Sequence, residues 1–379
     1  MVKKLVIVVS ILLSQIIAFG QVKVTFIIDK VAPFKTTTPN LYLAGDFNSW
    51  NAADTAWKMN LDLAGRYQLV KMLPKGNVSF KITKGSWDAV ECDASGHDIA
   101  NRDITIAHDT IIVMNVAGWK DDHPMEPKKH TASANVHIIS ENFAIPQLGR
   151  QRRIWIYLPA DYATSNKKYP VIYMHDGQNL FDEFTSGYGE WGIDEIMDKL
   201  PAKDESIIVG IDHGGENRIM EYDPYDSKYG KGRGDDYVDF LVKTLKPYID
   251  ANYRTEKNAQ HTTIVGSSMG GLISMYAILK YPNVFGNAGV FSPAFWIAPD
   301  IYQYAQQTNL PTKARIYFVC GDSEDKTMVA DMQKMAVIIQ AKGISENNTP
   351  TTIMQGAKHN EKQWNTDFPA FYSWLLKGY

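Results

Sequence analysis

Hydrophobic and polar positions fall into two regimes along the chain. From Val22 to about Trp119 the apolar residues come in short, often alternating runs: "KVTFII", "LYLAGDF", "RYQLVKML", "NVSFKITKG", "RDITIA" and "TIIVMNV", separated by Gly, Asn, Asp and Pro. Short strands at even spacing, bounded by turn residues, predict a small all-β, immunoglobulin-like sandwich. Lys120 to Asn135, "KDDHPMEPKKHTASAN", breaks every periodicity and predicts a linker. From Val136 to Tyr379 the pattern changes. "RRIWIYLP", "YPVIYMHDG", "ESIIVGID", "HTTIVGSS" and "ARIYFVCGD" are near-continuous apolar runs, while "DDYVDFLVKTLKPYID" and "DMQKMAVIIQAKG" carry apolar residues at helical spacing. Strands apolar on both faces, set between helices, predict a mostly parallel sheet covered on both sides, hence an α/β domain.

The first twenty residues stand apart from both regimes. Lys3 and Lys4 precede an apolar run from Leu5 to Ile17, and Ala18-Phe19-Gly20 supplies small residues at signal-peptidase spacing. This predicts a signal peptide over residues 1–20, cleaved before Gln21, and an exported protein in the periplasm or outside the cell. The run is short for a membrane span, so no stable membrane insertion is expected after cleavage.

Composition narrows the chemistry. A chain of 379 residues with 45% hydrophobic content buries a large core and accommodates two domains. A formal charge of -3 with interspersed signs leaves no footprint for nucleic acid. Cys92 and Cys320, the only cysteines, read as buried small hydrophobes. No Cys or His spacing suits a metal, so neither metal nor organic cofactor is expected. The oligomeric state leaves no signal in the sequence.

The chemistry-bearing motif is Gly266-Ser267-Ser268-Met269-Gly270. Only Ser268 has glycines two residues to either side, as a sharp strand-to-helix turn requires on steric grounds. "TTIV" before it reads as a strand and "GLISMYAILKY" after it as a helix stopped by Pro282, so Ser268 is the candidate nucleophile. A serine needs a base, and one histidine alone follows it, His359, in the polar loop after "TPTTIM". The acid that orients this base is expected after the strand "RIYFVC", where Asp322, Glu324 and Asp325 are equivalent by spacing. Backbone N–H groups of Met269 and, after "VIYMHDG", of Gln178 are the candidate oxyanion donors. His175 and Asp176 read as strand-end residues that shape that turn.

Most of the chain from Val136 resembles the esterase family that includes enterochelin esterases, feruloyl and acetylxylan esterases, S-formylglutathione hydrolases and mycolyl transferases. The resemblance is carried by "VIYMHDGQNLFD", "ENRIMEYDPY", "GDDYVDFLVKTLKPYID", "IVGSSMGGLISMYAILKYPNVFGNAGVFSPAFW" and "GAKHNEKQWNTDFPAFYSWL". It implies an α/β-hydrolase fold over 136–379. Its Gly-x-x-Glu pattern maps onto Gly321 and Glu324, which selects Glu324 as the acid. Arg218 is implied as a holder of a substrate carboxylate or phenol, with a loop-fixing pair to Glu221 as the favoured alternative. Phe295 and Trp296 are implied as pocket residues, or equally as core. Residues 22–119 resemble starch- and glycogen-binding sandwich modules through "LYLAGDFNSWN" and "KITKGSWDAVE". Trp50 and Trp87 are candidates there for sugar stacking, although core positions are commoner for Trp.

The expectation is an exported serine esterase acting through an acyl-enzyme on acylated carbohydrates of acetyl or feruloyl type. The alternatives are a siderophore-lactone or other small-ester hydrolase and, in another class, a carbohydrate-binding protein whose hydrolase domain is silent.

Overall fold

The computed structural model describes residues 21–35, 39–123 and 128–379. The expected signal peptide lies outside the described residues. The chain divides into two units, Met1–Pro127 and Lys128–Tyr379.

In the first unit all six expected runs become strands. Tyr67–Pro74, Gln21–Val31 and Thr110–Val116 form one sheet with the short Asn60–Leu61, and Tyr42–Gly45, Gly76–Thr83 and Arg102–Ile106 form a second. Alternation along Gln21–Val31 turns Val22, Val24, Phe26 and Ile28 inward, onto Leu43, Phe80 and Ile82. Phe26 and Phe80 meet edge to face at 5.4 Å. Trp119 is wholly buried in this core, whereas Trp87 is 45% exposed and its ring lies 6.2 Å from that of Trp50.

The second unit holds an eight-stranded sheet: β1 (Val136–Ile145), β2 (Arg150–Tyr157), β3 (Val171–His175), β4 (Ile207–Ile211), β5 (Thr262–Ser267), β6 (Asn287–Phe291), β7 (Arg315–Gly321) and β8 (Thr351–Met354). Their spatial order is β1-β2-β4-β3-β5-β6-β7-β8. β2 runs antiparallel to both its neighbours, and the remaining pairs are parallel. The central strands are buried end to end because helices cover both faces. This is the α/β-hydrolase arrangement. Among the described residues, no helix is long and apolar enough to cross a membrane.

Three features go beyond the sequence reading. Gly234–Phe240 continues through a wide π-turn at Leu241–Leu245 into Lys246–Asn252, because Pro247 lacks the N–H that a regular helix would use there. The C-terminal helix Glu361–Leu376 runs through Pro369. The expected linker is not free along its length. Lys120–Asp122 forms a helical turn of the first unit, and residues 128–135 are fastened to the second. His130 Nδ1 lies 2.8 Å from Asp182 Oδ2, Ser133 N–H donates to Asp194 at 2.7 Å, and Asn135 Nδ2 donates to Asp198 at 2.8 Å. Cys92 and Cys320 are both buried and free.

Candidate active site

Ser267 ends β5, and the helix Met269–Lys280 begins one residue after Ser268. Ser268 itself stands between them at φ 57° and ψ -120°, a left-handed φ that L-residues avoid. Three backbone hydrogen bonds hold it there. Its N–H donates to Phe291 O at 3.0 Å, and its carbonyl accepts from Ala294 at 3.0 Å and Leu272 at 3.1 Å. Gly266 is sterically required, and Gly270 stands close to its neighbours. A Cβ on Gly266 would lie 2.7 Å from the Gly270 carbonyl carbon and 2.8 Å from the His175 ring, and one on Gly270 would lie 3.3 Å from Asp176 Oδ2. Ser267 is buried in the strand, while Ser268 is half-buried at the turn.

The sheet order sets β5, β6, β7 and β8 side by side. Ser268, Ser292, Glu324 and His359 follow their C-terminal ends in turn, so the topology collects them along one edge. His359 Nδ1 lies 2.7 Å from Glu324 Oε2. Glu324 is buried, its side chain only 1% exposed against 37% for His359, and its other oxygen accepts from Gly321 N–H at 2.6 Å and Ser292 Oγ at 2.7 Å. The two acidic neighbours face elsewhere. Asp322 accepts from Gly356 N–H at 2.7 Å, and Asp325 accepts from the N–H groups of Thr327 and Met328, each at 2.8 Å, at the start of the next helix. With Nδ1 on Glu324, His359 has Nε2 left for a reacting hydroxyl. No hydrogen bond joins that nitrogen to Ser268 Oγ among the described residues, and such contacts commonly close only around substrate.

Met269 N–H opens the new helix, and Gln178 N–H lies in the turn Gly177–Asn179 that follows β3. Neither donates to a protein acceptor among the described residues. Asp176, at φ 58°, sets up the Gln178 turn. Burial works to raise its carboxyl, but the Arg218 guanidinium overcomes this and holds it below the ordinary carboxylate range. Arg218 Nε and Nη2 reach the two Asp176 oxygens at 2.6 and 2.8 Å. This corrects the expected pairing: Glu221 binds Arg150 and Arg152 instead. Arg218 is thus already neutralised by a neighbour, which leaves little of its charge for a substrate anion.

Of the two aromatic candidates, Phe295 is wholly buried and packs edge-on against Tyr302. It is core, because the turn after Pro293 points it at the helix Asp300–Gln307. Trp296 is 48% exposed and lines a cleft of about 410 Å³ with Tyr225, Tyr229 and Asp300. Ser292 and Trp364, which join the Glu324 environment, were missed in the sequence. Each lies inside a family-like block, but no motif marks a lone Ser or Trp as partner of a carboxylate. Among the described residues, no group of three or more His, Cys, Asp or Glu side chains is arranged to hold a metal ion.

Comparison with known proteins gives a family match. The family model "Putative esterase" matches residues 145–375. The uncharacterized protein YbbA of Bacillus subtilis (strain 168) is 29% identical over 243 residues, covering 59% of this chain and 92% of that protein. An endo-1,4-beta-xylanase/feruloyl esterase of Xylanibacter ruminicola is 26% identical over 223 residues, covering 57% of this chain and 28% of that one. The solved enterobactin esterase FES from Shigella flexneri superposes with a TM-score of 0.51 at 14% identity, covering 90% of this chain and 89% of that chain, a likeness of fold.

Proposed function

This chain belongs to the esterase family, whose chemistry is the hydrolysis of carboxylic esters, and from that premise we propose that it is an exported serine esterase acting on acylated carbohydrates. The observation that carries the reading is the buried Glu324 carboxylate 2.7 Å from His359 Nδ1, two strands over from the strained turn at Ser268 along the β5–β8 edge.

In this mechanism Ser268 Oγ attacks the ester carbonyl as His359 Nε2 takes its proton. Glu324 keeps the remaining ring proton on Nδ1 and stabilises the imidazolium. The carbonyl oxygen becomes an oxyanion and is met by the N–H groups of Met269 and Gln178, the former at a helix N-terminus. Collapse of the tetrahedral intermediate expels the alcohol, which receives the proton from His359 and leaves an acyl-Ser268. Water, deprotonated by the same His359, attacks that acyl group. The acid is released and the serine regains its proton.

A carbohydrate alcohol is favoured by three observations: the xylanase/feruloyl esterase relative, the paired rings of Trp50 and Trp87 in the first unit, and the half-exposed Trp296 in its cleft. Aromatic faces of this kind suit the apolar faces of sugar rings. In a side-by-side panel of an aryl acetate, a feruloyl-sugar and a siderophore ester, the feruloyl-sugar is expected to have the highest kcat/KM. Ser268→Ala should abolish turnover and block labelling by an organophosphonate, while Ser267→Ala retains both. Preference for the siderophore ester would overturn the substrate class. Labelling of Ser267, or of neither serine, would overturn the mechanism. Glycan binding without turnover of any ester would leave a binding protein.

A further inference from the structure

Glu324 presents one oxygen to His359 and has the other, Oε1, bound by Gly321 N–H and by Ser292 Oγ. Ser292 Oγ lies in turn 2.9 Å from Nε1 of Trp364, in the C-terminal helix. An indole N–H can only donate, so Trp364 occupies a lone pair of the Ser292 oxygen. The single hydroxyl proton is then free to go to Glu324. The direction of both hydrogen bonds follows from the residue types.

Ser292 is also held in an unfavourable conformation. It follows β6 at φ 42° and is 1% exposed. Glycine would adopt that φ without strain, so the hydroxyl is the property this position retains at a cost. Trp364 makes a second contact with the same machinery: its ring stands edge-on to the His359 imidazole, with centroids 5.1 Å apart at 84°. One side chain thus touches the base and, through Ser292, steadies the acid.

We propose that Ser292 and Trp364 are positioning residues for ester cleavage, a relay that aims the Glu324 carboxylate at His359 Nδ1. The inference rests on the triad proposed above. Donors on Oε1 stop the carboxylate from rotating and draw charge away from Oε2. Without them the carboxylate wanders, which lowers turnover, and its bare charge favours the imidazolium, which moves the loss of activity in acid to higher pH. The titratable groups around the pair are Glu361 and Asp367 from the C-terminal helix, Asp322 and Asp325 from the loop, and Cys320 from β7. All persist in the variants below, so differences from the parent isolate the relay.

The test measures kcat and KM for an aryl acetate across pH in the full chain, Ser292→Ala and Trp364→Phe. The downfield Nδ1–H proton resonance of His359, assigned by its loss in His359→Gln, is followed in the same samples. Ser292→Ala should lower kcat by roughly 10- to 100-fold with KM within about twofold, the scale of one lost hydrogen bond to a charged group. Its acid limb should move up by about half a pH unit. Trp364→Phe keeps a ring against His359 and should move both readouts the same way by less. It also decides the matter if Ser292→Ala does not fold. Parent-like kcat and acid limb in the folded variants would overturn the relay, as would a loss of activity that tracks lowered melting temperature with the acid limb unmoved. If the parent cleaves no ester, the functional reading fails, and the relay stands or falls on whether the Nδ1–H titration differs between parent and variants.

Discussion

Arg218 and Asp176 form a two-pronged ion pair directly before the turn that carries Gln178, with Nε and Nη2 at 2.6 and 2.8 Å from separate carboxylate oxygens. Asp176 is buried and Arg218 is half-buried, so breaking the pair from one side leaves a charge with no protein partner and little water. Asp176→Asn preserves shape and tolerates the left-handed φ, since Asn visits that region readily. It should nevertheless cost about 3 kcal/mol in urea unfolding, because Arg218 stays charged. Adding Arg218→Gln should recover part of the loss. Additive losses in the double variant would mean that the two side chains do not stabilise each other.

Beside this pair, His175 is buried with Nδ1 2.9 Å from the Tyr237 hydroxyl and, among the described residues, no partner for Nε2. Burial pushes its imidazole down to about 3. The folded protein therefore holds His175 neutral where the unfolded chain, with an ordinary value of about 6.5, takes up a proton. Its share of stability is whole above about pH 6.5 and is lost as pH falls toward 3, at about 1.4 kcal/mol per pH unit. His175→Gln, measured by urea unfolding at stepped pH, should give a flatter fall between pH 6.5 and 4 than the parent. Parallel curves would remove His175 as a source of acid sensitivity.

Much of this was legible in the sequence because steric rules are local. The glycines around Ser268 announce a turn that admits no side chain, and chain order singles out His359. The acid was not legible from spacing, since Asp322, Glu324 and Asp325 share one loop. What separates them is where each carboxylate points: Asp322 to Gly356, Asp325 to a helix start, Glu324 to His359. The partner of Arg218 was misread because Glu221 is near in sequence, whereas Asp176 is brought to it by the fold. Helical periodicity missed Glu361–Leu376, where Pro369 mimics a stop signal, and β1, whose half-exposed pattern lies on a sheet edge.

The longer arm of Glu324 makes a sharp prediction. Glu324→Gln keeps the acceptor geometry at Oε1 but no longer carries the charge that steadies an imidazolium. It should lower kcat by roughly 10²- to 10⁴-fold with the fold intact by circular dichroism. Asp322→Asn and Asp325→Asn remove charges that serve only the loop and should stay within about tenfold of the parent. A collapse of kcat in either of these, with Glu324→Gln near normal, would reassign the acid and leave Ser268 and His359 in their roles.

The fastening of residues 128–135 decides where the chain can be cut. A truncated chain beginning at Lys128 retains the contacts of Lys128 with Ser186, His130 and Thr131 with Asp182, Thr131 with Glu190 and Ser133 with Asp194. Starting at Ala134 removes all of them and leaves Asp182, which is buried, and Asp194, which is fully buried, short of donors. Loss of a buried donor costs about 1–3 kcal/mol each, against a typical stability of about 5–15 kcal/mol. The Lys128 chain should therefore fold and hydrolyse a small soluble ester, since Ser268, Glu324 and His359 all lie downstream. The Ala134 chain should melt at a clearly lower temperature or accumulate as insoluble protein. Equal melting temperatures would show that the segment lies on the unit without stabilising it. An insoluble or inactive Lys128 chain would make the first unit a necessary part of the enzyme.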